Sequence, residues 1–112
     1  MTELSRSEPD RSLNSTFVST AGGVMTEEAG AITGELELLT GVTSDGGGIE
    51  VMVRYAGAQD LYTVSGSPVH AVSKPPDQEV EHRAAHERIL ETLTTPGRVE
   101  SGNEMPVGLL DG

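Results

Sequence analysis

The chain has 112 residues and a formal charge of −11, from 18 acidic against seven basic side chains. That balance repels phosphate backbones and anionic membrane surfaces and argues against direct nucleic-acid binding. It contains no cysteine, which excludes disulfide scaffolds, thiolate metal sites and cysteine nucleophiles.

Residues 1–16 alternate Ser, Glu, Asp and Arg without periodicity and read as a disordered N-terminal tail. They lack the apolar stretch of a secretory signal, and no run in the chain approaches the roughly 18 apolar residues that span a bilayer, so a cytoplasmic location is expected. Asn14-Ser15-Thr16 matches a glycosylation sequon that has no meaning without such a signal. A strand is expected over 17–21 and one capped helical turn over 26–29. The stretch 17–48 holds five acidic residues and no basic one. On a folded surface it would attract a basic partner, although such charge also simply keeps a protein soluble.

The strongest local pattern is a β-hairpin over 35–43 and 49–56. Leu36, Leu38, Thr40 and Val42 alternate on one arm, and Ile49, Val51, Val53 and Tyr55 on the other. Between them Ser44, Asp45 and three glycines supply turn chemistry. One register puts Leu36 opposite Tyr55, Leu38 opposite Val53, Thr40 opposite Val51 and Val42 opposite Ile49 on the inner face. The same register pairs Glu37 with Arg54 and Leu39 with Met52 outside, whereas a slip of one residue would send the apolar set to solvent. Further strands are expected near 61–65 and 69–72, the second at an edge because Pro68 cannot donate to a ladder.

A helix follows over about 77–94. Asp77 is its N-cap, Glu79 and Glu81 lie in its first turn, and Pro96-Gly97 stops it. Its apolar residues Val80, Ala84, Ala85, Ile89, Leu90 and Leu93 are taken as the buried stripe. Residues 96–112, rich in Gly and Pro, read as a flexible C-terminal tail.

These elements predict an α+β domain over 17–95, with a three- or four-stranded antiparallel sheet packed on one C-terminal helix. Leu, Ile, Val and Phe number 25 of 112, so the core is thin. Leu39 and Met52 stand side by side on the outer face, and a homodimer is expected from the small core.

Few residues suggest chemistry. His82 and His86, four apart on the helix, share a face and are the metal candidates, with a third ligand to come from His70 or Glu79. The segment lacks the glutamate of either zincin order, and two solvated histidines on a charged face are the plainer reading. Ser65, Ser67, His70 and Asp60 lie close in sequence without a nucleophile elbow and match ordinary turn composition. Gly46-Gly47-Gly48 joins two strands beside an acid, which is a hairpin loop and not a phosphate cradle. Glu27 and Glu28 are adjacent and diverge in regular structure. The apolar cluster Met105, Val107, Leu109 and Leu110 docks on a partner, packs back on its own domain or stays disordered.

The expected function is therefore a non-enzymatic acidic interaction module, a regulator, adaptor or inhibitor of a basic protein partner, with no cofactor. Leu39, Met52, Met105, Val107, Leu109 and Leu110 are the candidate contact residues. The alternative is a small metal- or ligand-binding protein or enzyme using His82, His86 and His70.

Overall fold

The computed structural model describes residues 12–43, 47–70 and 78–109. In chain order the elements are β1 (Leu13–Val18), β2 (Val24–Thr26), β3 (Gly30–Ile32), β4 (Glu35–Val42), β5 (Gly48–Tyr55), β6 (Tyr62–Thr63), β7 (Val69–His70), α1 (Gln78–Thr94), β8 (Val99–Glu100) and β9 (Asn103–Glu104). The architecture is α+β, as the sequence predicts.

The β4–β5 hairpin has the expected register, from Leu36 opposite Tyr55 to Val42 opposite Ile49. Its loop is closed by Thr43, whose N–H donates to the Gly48 carbonyl at 2.9 Å and whose Oγ1 accepts from the Gly48 N–H at 3.0 Å. Residues 44–46 lie outside the described residues, as do 71–77, which include the N-cap candidate Asp77 and the end of the expected fourth strand. β6 and β7 both pair antiparallel to β5, and β1 adds to the other side of β4. The sheet therefore has five strands, in the order β1-β4-β5-β6 with β7 also on β5.

Alternation sorts this sheet into two faces. Leu13, Ser15 and Phe17 of β1 align with Thr40, Leu38 and Leu36 of β4, and these with Val51, Val53 and Tyr55 of β5. Leu36, Leu38, Val51 and Val53 are wholly buried. α1 packs across the β1 and β4 side of this face. The β5 side is closed differently. The β2–β3 hairpin is tied to 63–65 by Glu27 N–H to Thr63 O and Ser65 N–H to Met25 O, each 2.9 Å.

Four expectations need correction. β1 begins at Leu13, so the strand reaches into the segment assigned to a disordered tail; its cross-strand pairing to β4 supplies what composition did not show. Residues 26–29 make the β2–β3 turn and not a helical turn, because Thr26 Oγ1 accepts from Ala29 N–H and donates to Gly30 O, offering the backbone a tighter alternative. The buried stripe of α1 is His82, Ala85, His86, Ile89 and Leu93, while Val80 is 71% exposed and Ala84 is also exposed. Val80 precedes His82 by two residues, about 200° around the helix, so both cannot face the sheet.

The fourth correction concerns the C-terminal segment. After Pro96 the chain forms the β8–β9 hairpin and then folds back as a strap. Met105 N–H donates to Arg98 O, Val107 N–H to Gly23 O, Met25 N–H to Val107 O and Leu109 N–H to Ser65 O, at 2.8 to 2.9 Å. Backbone pairing of this kind makes residues 98–109 part of the domain. Of the apolar cluster, Leu110 lies outside the described residues.

Room for the strap depends on two glycines. A Cβ at Gly22 or at Gly97 would run into the Met105 carbonyl, and at neither is a positive φ the reason. Gly22→Ala and Gly97→Ala are each expected to lower stability by about 1–3 kcal/mol through overpacking. Urea unfolding of the variants reads this directly, and unchanged midpoints would show that the strap is not held there.

Candidate functional site

The chemistry-bearing residues that the fold gathers lie between α1 and the sheet. His82 and His86, one turn apart, reach the same residue of β4. Thr40 Oγ1 is 2.9 Å from His82 Nε2 and 2.8 Å from His86 Nδ1, and His86 Nε2 is 2.9 Å from Ser15 Oγ on β1. Thr40 is 1% exposed, His82 3% and His86 5%. The result is a continuous chain, Ser15–His86–Thr40–His82, linking the helix to both strands beneath it.

A hydroxyl has one proton to give, so Thr40 donates to one ring nitrogen and accepts from the other ring's N–H. Two arrangements satisfy every link. In one, His82 Nε2–H donates to Thr40, Thr40 to His86 Nδ1, and His86 Nε2–H to Ser15. In the other each bond runs the opposite way. Burial pushes both imidazoles below their ordinary pKa. For His86 the neighbouring His82 and Arg83 push in the same direction, with Glu87 opposing them.

This geometry replaces the solvated reading of the histidine pair. They are not solvated, since they occupy the buried stripe of α1. They also converge on a neutral hydroxyl and not on further ligands: His70 sits exposed on β7 and Glu79 is exposed in the first turn of α1. No group of three or more His, Asp or Glu side chains placed to hold a metal ion occurs among the described residues. Ser15 and Thr40 were not singled out as site residues. For Thr40 the signal lies in the alternation, which puts it on the inner face where a polar side chain needs a partner, while Ser15 falls in a segment without periodicity. Of the serines near His70, Ser67 Oγ accepts the Val51 N–H at 2.8 Å and Ser65 is buried.

The candidate contact residues divide. Leu39 is only 6% exposed, set between Asn14 and Met52 on the outer face. Beside it Glu37 accepts from Asn14 Nδ2 and Arg54 Nε, both at 2.8 Å, and this pairing holds the Glu37 carboxyl below its ordinary pKa. The expected exposed pair is thus largely covered, with Met52 half-buried. Met105, Val107 and Leu109 belong to the strap, where Val107 and Leu109 pack on the core.

Strap and helix enclose an open groove. Its larger part, about 690 Å³, is lined by Met25, Thr92, Thr95, Arg98, Met105 and Val107 among others. A second hollow of about 400 Å³ lies against Val69, His70, Arg88, Ile89 and Leu109, and the two share Thr92 and Gly108. No helix among the described residues is long and apolar enough to cross a membrane. Comparison with protein-family models, curated proteins and solved structures finds no match to this chain.

The shared hydroxyl sets a stability expectation. Thr40→Val keeps the shape and leaves two buried ring nitrogens without a partner, at roughly 1–3 kcal/mol each. Thr40→Ser keeps the hydroxyl and should lose far less. Chemical denaturation of both variants checks this, and equal stability of Thr40→Val and the parent would remove the bonds' structural role.

Proposed function

We propose that the chain is a protein-interaction module that receives a basic, apolar-anchored segment of a partner in the groove between α1 and the strap. The observation that carries this reading is the groove itself, an open concavity with Met25, Met105 and Val107 in its lining, on a molecule of formal charge −11. Apolar lining supplies a place for an anchoring side chain, and the net charge favours encounter with a cationic segment. Glu91 on the groove wall offers a carboxylate to it, while Arg98 on the same wall is paired with Glu100 at 3.1 Å. The histidine pair supports the reading indirectly, since its ring nitrogens facing Thr40 and Ser15 are already engaged within the fold. A regulator, adaptor or inhibitor acts through a surface of this type.

The test is a display selection against the full chain with peptides carrying one bulky apolar residue flanked by basic, neutral or acidic residues in equal representation. Basic sequences are expected to dominate, to bind several-fold more weakly as salt rises, and to be lost with Thr92→Trp, which fills the shared waist of the groove from an exposed helix position. Enrichment without a charge preference, no enrichment, or binding that ignores Thr92→Trp would overturn the proposal.

A further inference from the structure

The hydrogen-bonded chain under α1 has a proton capacity that can be counted. With both rings neutral, each of its three links has one donor and one acceptor, in either direction described above. One added proton is accommodated without losing a link. If His86 is the cation, its Nδ1–H donates to Thr40, its Nε2–H to Ser15, and the Thr40 hydroxyl turns to His82 Nε2. If His82 is the cation, its Nε2–H donates to Thr40 and Thr40 donates to His86.

A second proton ends this. Both rings then present N–H groups to Thr40 Oγ1, at the separations of 2.9 and 2.8 Å, and the threonine proton has no acceptor left in the chain. Two cations would share one oxygen in a buried site, where their repulsion is far stronger than in water.

Among the described residues the sheet sets against that charge only the Thr40 backbone, whose hydrogen bond to His82 favours the protonated ring but is outweighed by burial. The inner-face residues beneath α1 are Leu13, Ser15 and Phe17 of β1 and Leu36, Leu38 and Thr40 of β4, and Val51 and Val53 continue that face on β5; all are uncharged. Glu37 and Glu50 belong to the opposite face by alternation. On α1 itself Glu79, Arg83 and Glu87 line one exposed flank, and Glu81 and Arg88 border the hollow that also holds His70. Only Glu87 favours a cation at His86, against His82 and Arg83.

We propose that Ser15, His86, Thr40 and His82 form an acid-sensitive latch, which holds α1 on β1 and β4 while at most one ring is charged and releases the helix when the second proton enters. The direction follows from linkage. Both folded pKa values lie below that of a free histidine, so the open state binds more protons than the closed one. The latch's stability is complete above about pH 6.5 and is lost as pH falls through the lowered folded values. Glu28, Glu37 and Glu104 have their pKa values held low by hydrogen bonds and stay ionised in that window.

Hydrogen exchange of the full chain between about pH 7.5 and about pH 5 tests the latch, after correction for chemical exchange. The opening constant of the α1 amides should rise as pH falls below about 6.5, more steeply than about tenfold per pH unit while the closed helix holds no added proton, and by about tenfold per unit once it holds one. His82→Gln and His86→Gln each remove one titrating ring, so their slopes should not exceed about tenfold per unit. Ring-nitrogen NMR of the parent chain covers the case in which a variant fails to fold. Both buried rings should titrate in two coupled steps below about pH 6.5, with helix release coinciding with the second. Unchanged α1 protection down to about pH 5, equal slopes in parent and folded variants, or a helix that stays protected with both rings charged would overturn the proposal.

Discussion

A single hydroxyl on Thr40 serves two imidazoles, donating to one and accepting from the other, and the placement of α1 follows from that. The helix meets the sheet in a small interior where Ile89, Leu93 and Ala85 supply the apolar contact and His82 and His86 supply direction. Apolar packing alone tolerates some sliding and rotation of a helix, since it is non-directional. Three linked hydrogen bonds do not, because a shift of one residue would strand buried ring nitrogens. The polar chain thus fixes which face of α1 points inward.

With α1 set over β1 and β4, the other half of the inner face needs its own cover. β2, β3 and the strap provide it, joined edge to edge through Val24, Val107 and the 63–65 segment. The groove is the seam between these two covers. Its walls come from distant parts of the chain, Met25, the end of α1 and residues 105–108, so it exists only when the strap is seated. The close approach of Gly22 and Gly97 to the Met105 carbonyl links the C-terminal segment to the shape of that seam.

Charge is distributed less simply than the segment totals suggest. Within the acidic stretch, Glu37 is engaged with Arg54 and Asn14, and Glu28 with the backbone and hydroxyl of Thr63. These carboxylates support β1-β4-β5 pairing and the attachment of the β2–β3 turn. They are therefore structural as well as anionic, and a partner attracted by the net charge meets a field in which some of the acidic groups already have partners.

The hairpin register could be read from the alternation of Leu36, Leu38, Val51 and Val53, because period-two patterning and a glycine turn act between neighbours in sequence. The helix span was legible from its stop signal at Pro96 for the same reason. Its buried face was not: counting apolar residues alone selected Val80 and Ala84, whereas packing placed two histidines inward, since their polarity could be met by Thr40 and Ser15 from other strands. The seating of the strap is not legible in this way, because Gly and Pro spacing records local flexibility and says nothing of the carbonyls at Gly23 and Ser65 that accept its amides. Sequence determined what depends on adjacent residues, namely the strands, their register and the net charge. Tertiary structure decided what depends on partners far apart in the chain, namely which polar groups could be buried and where the groove would open.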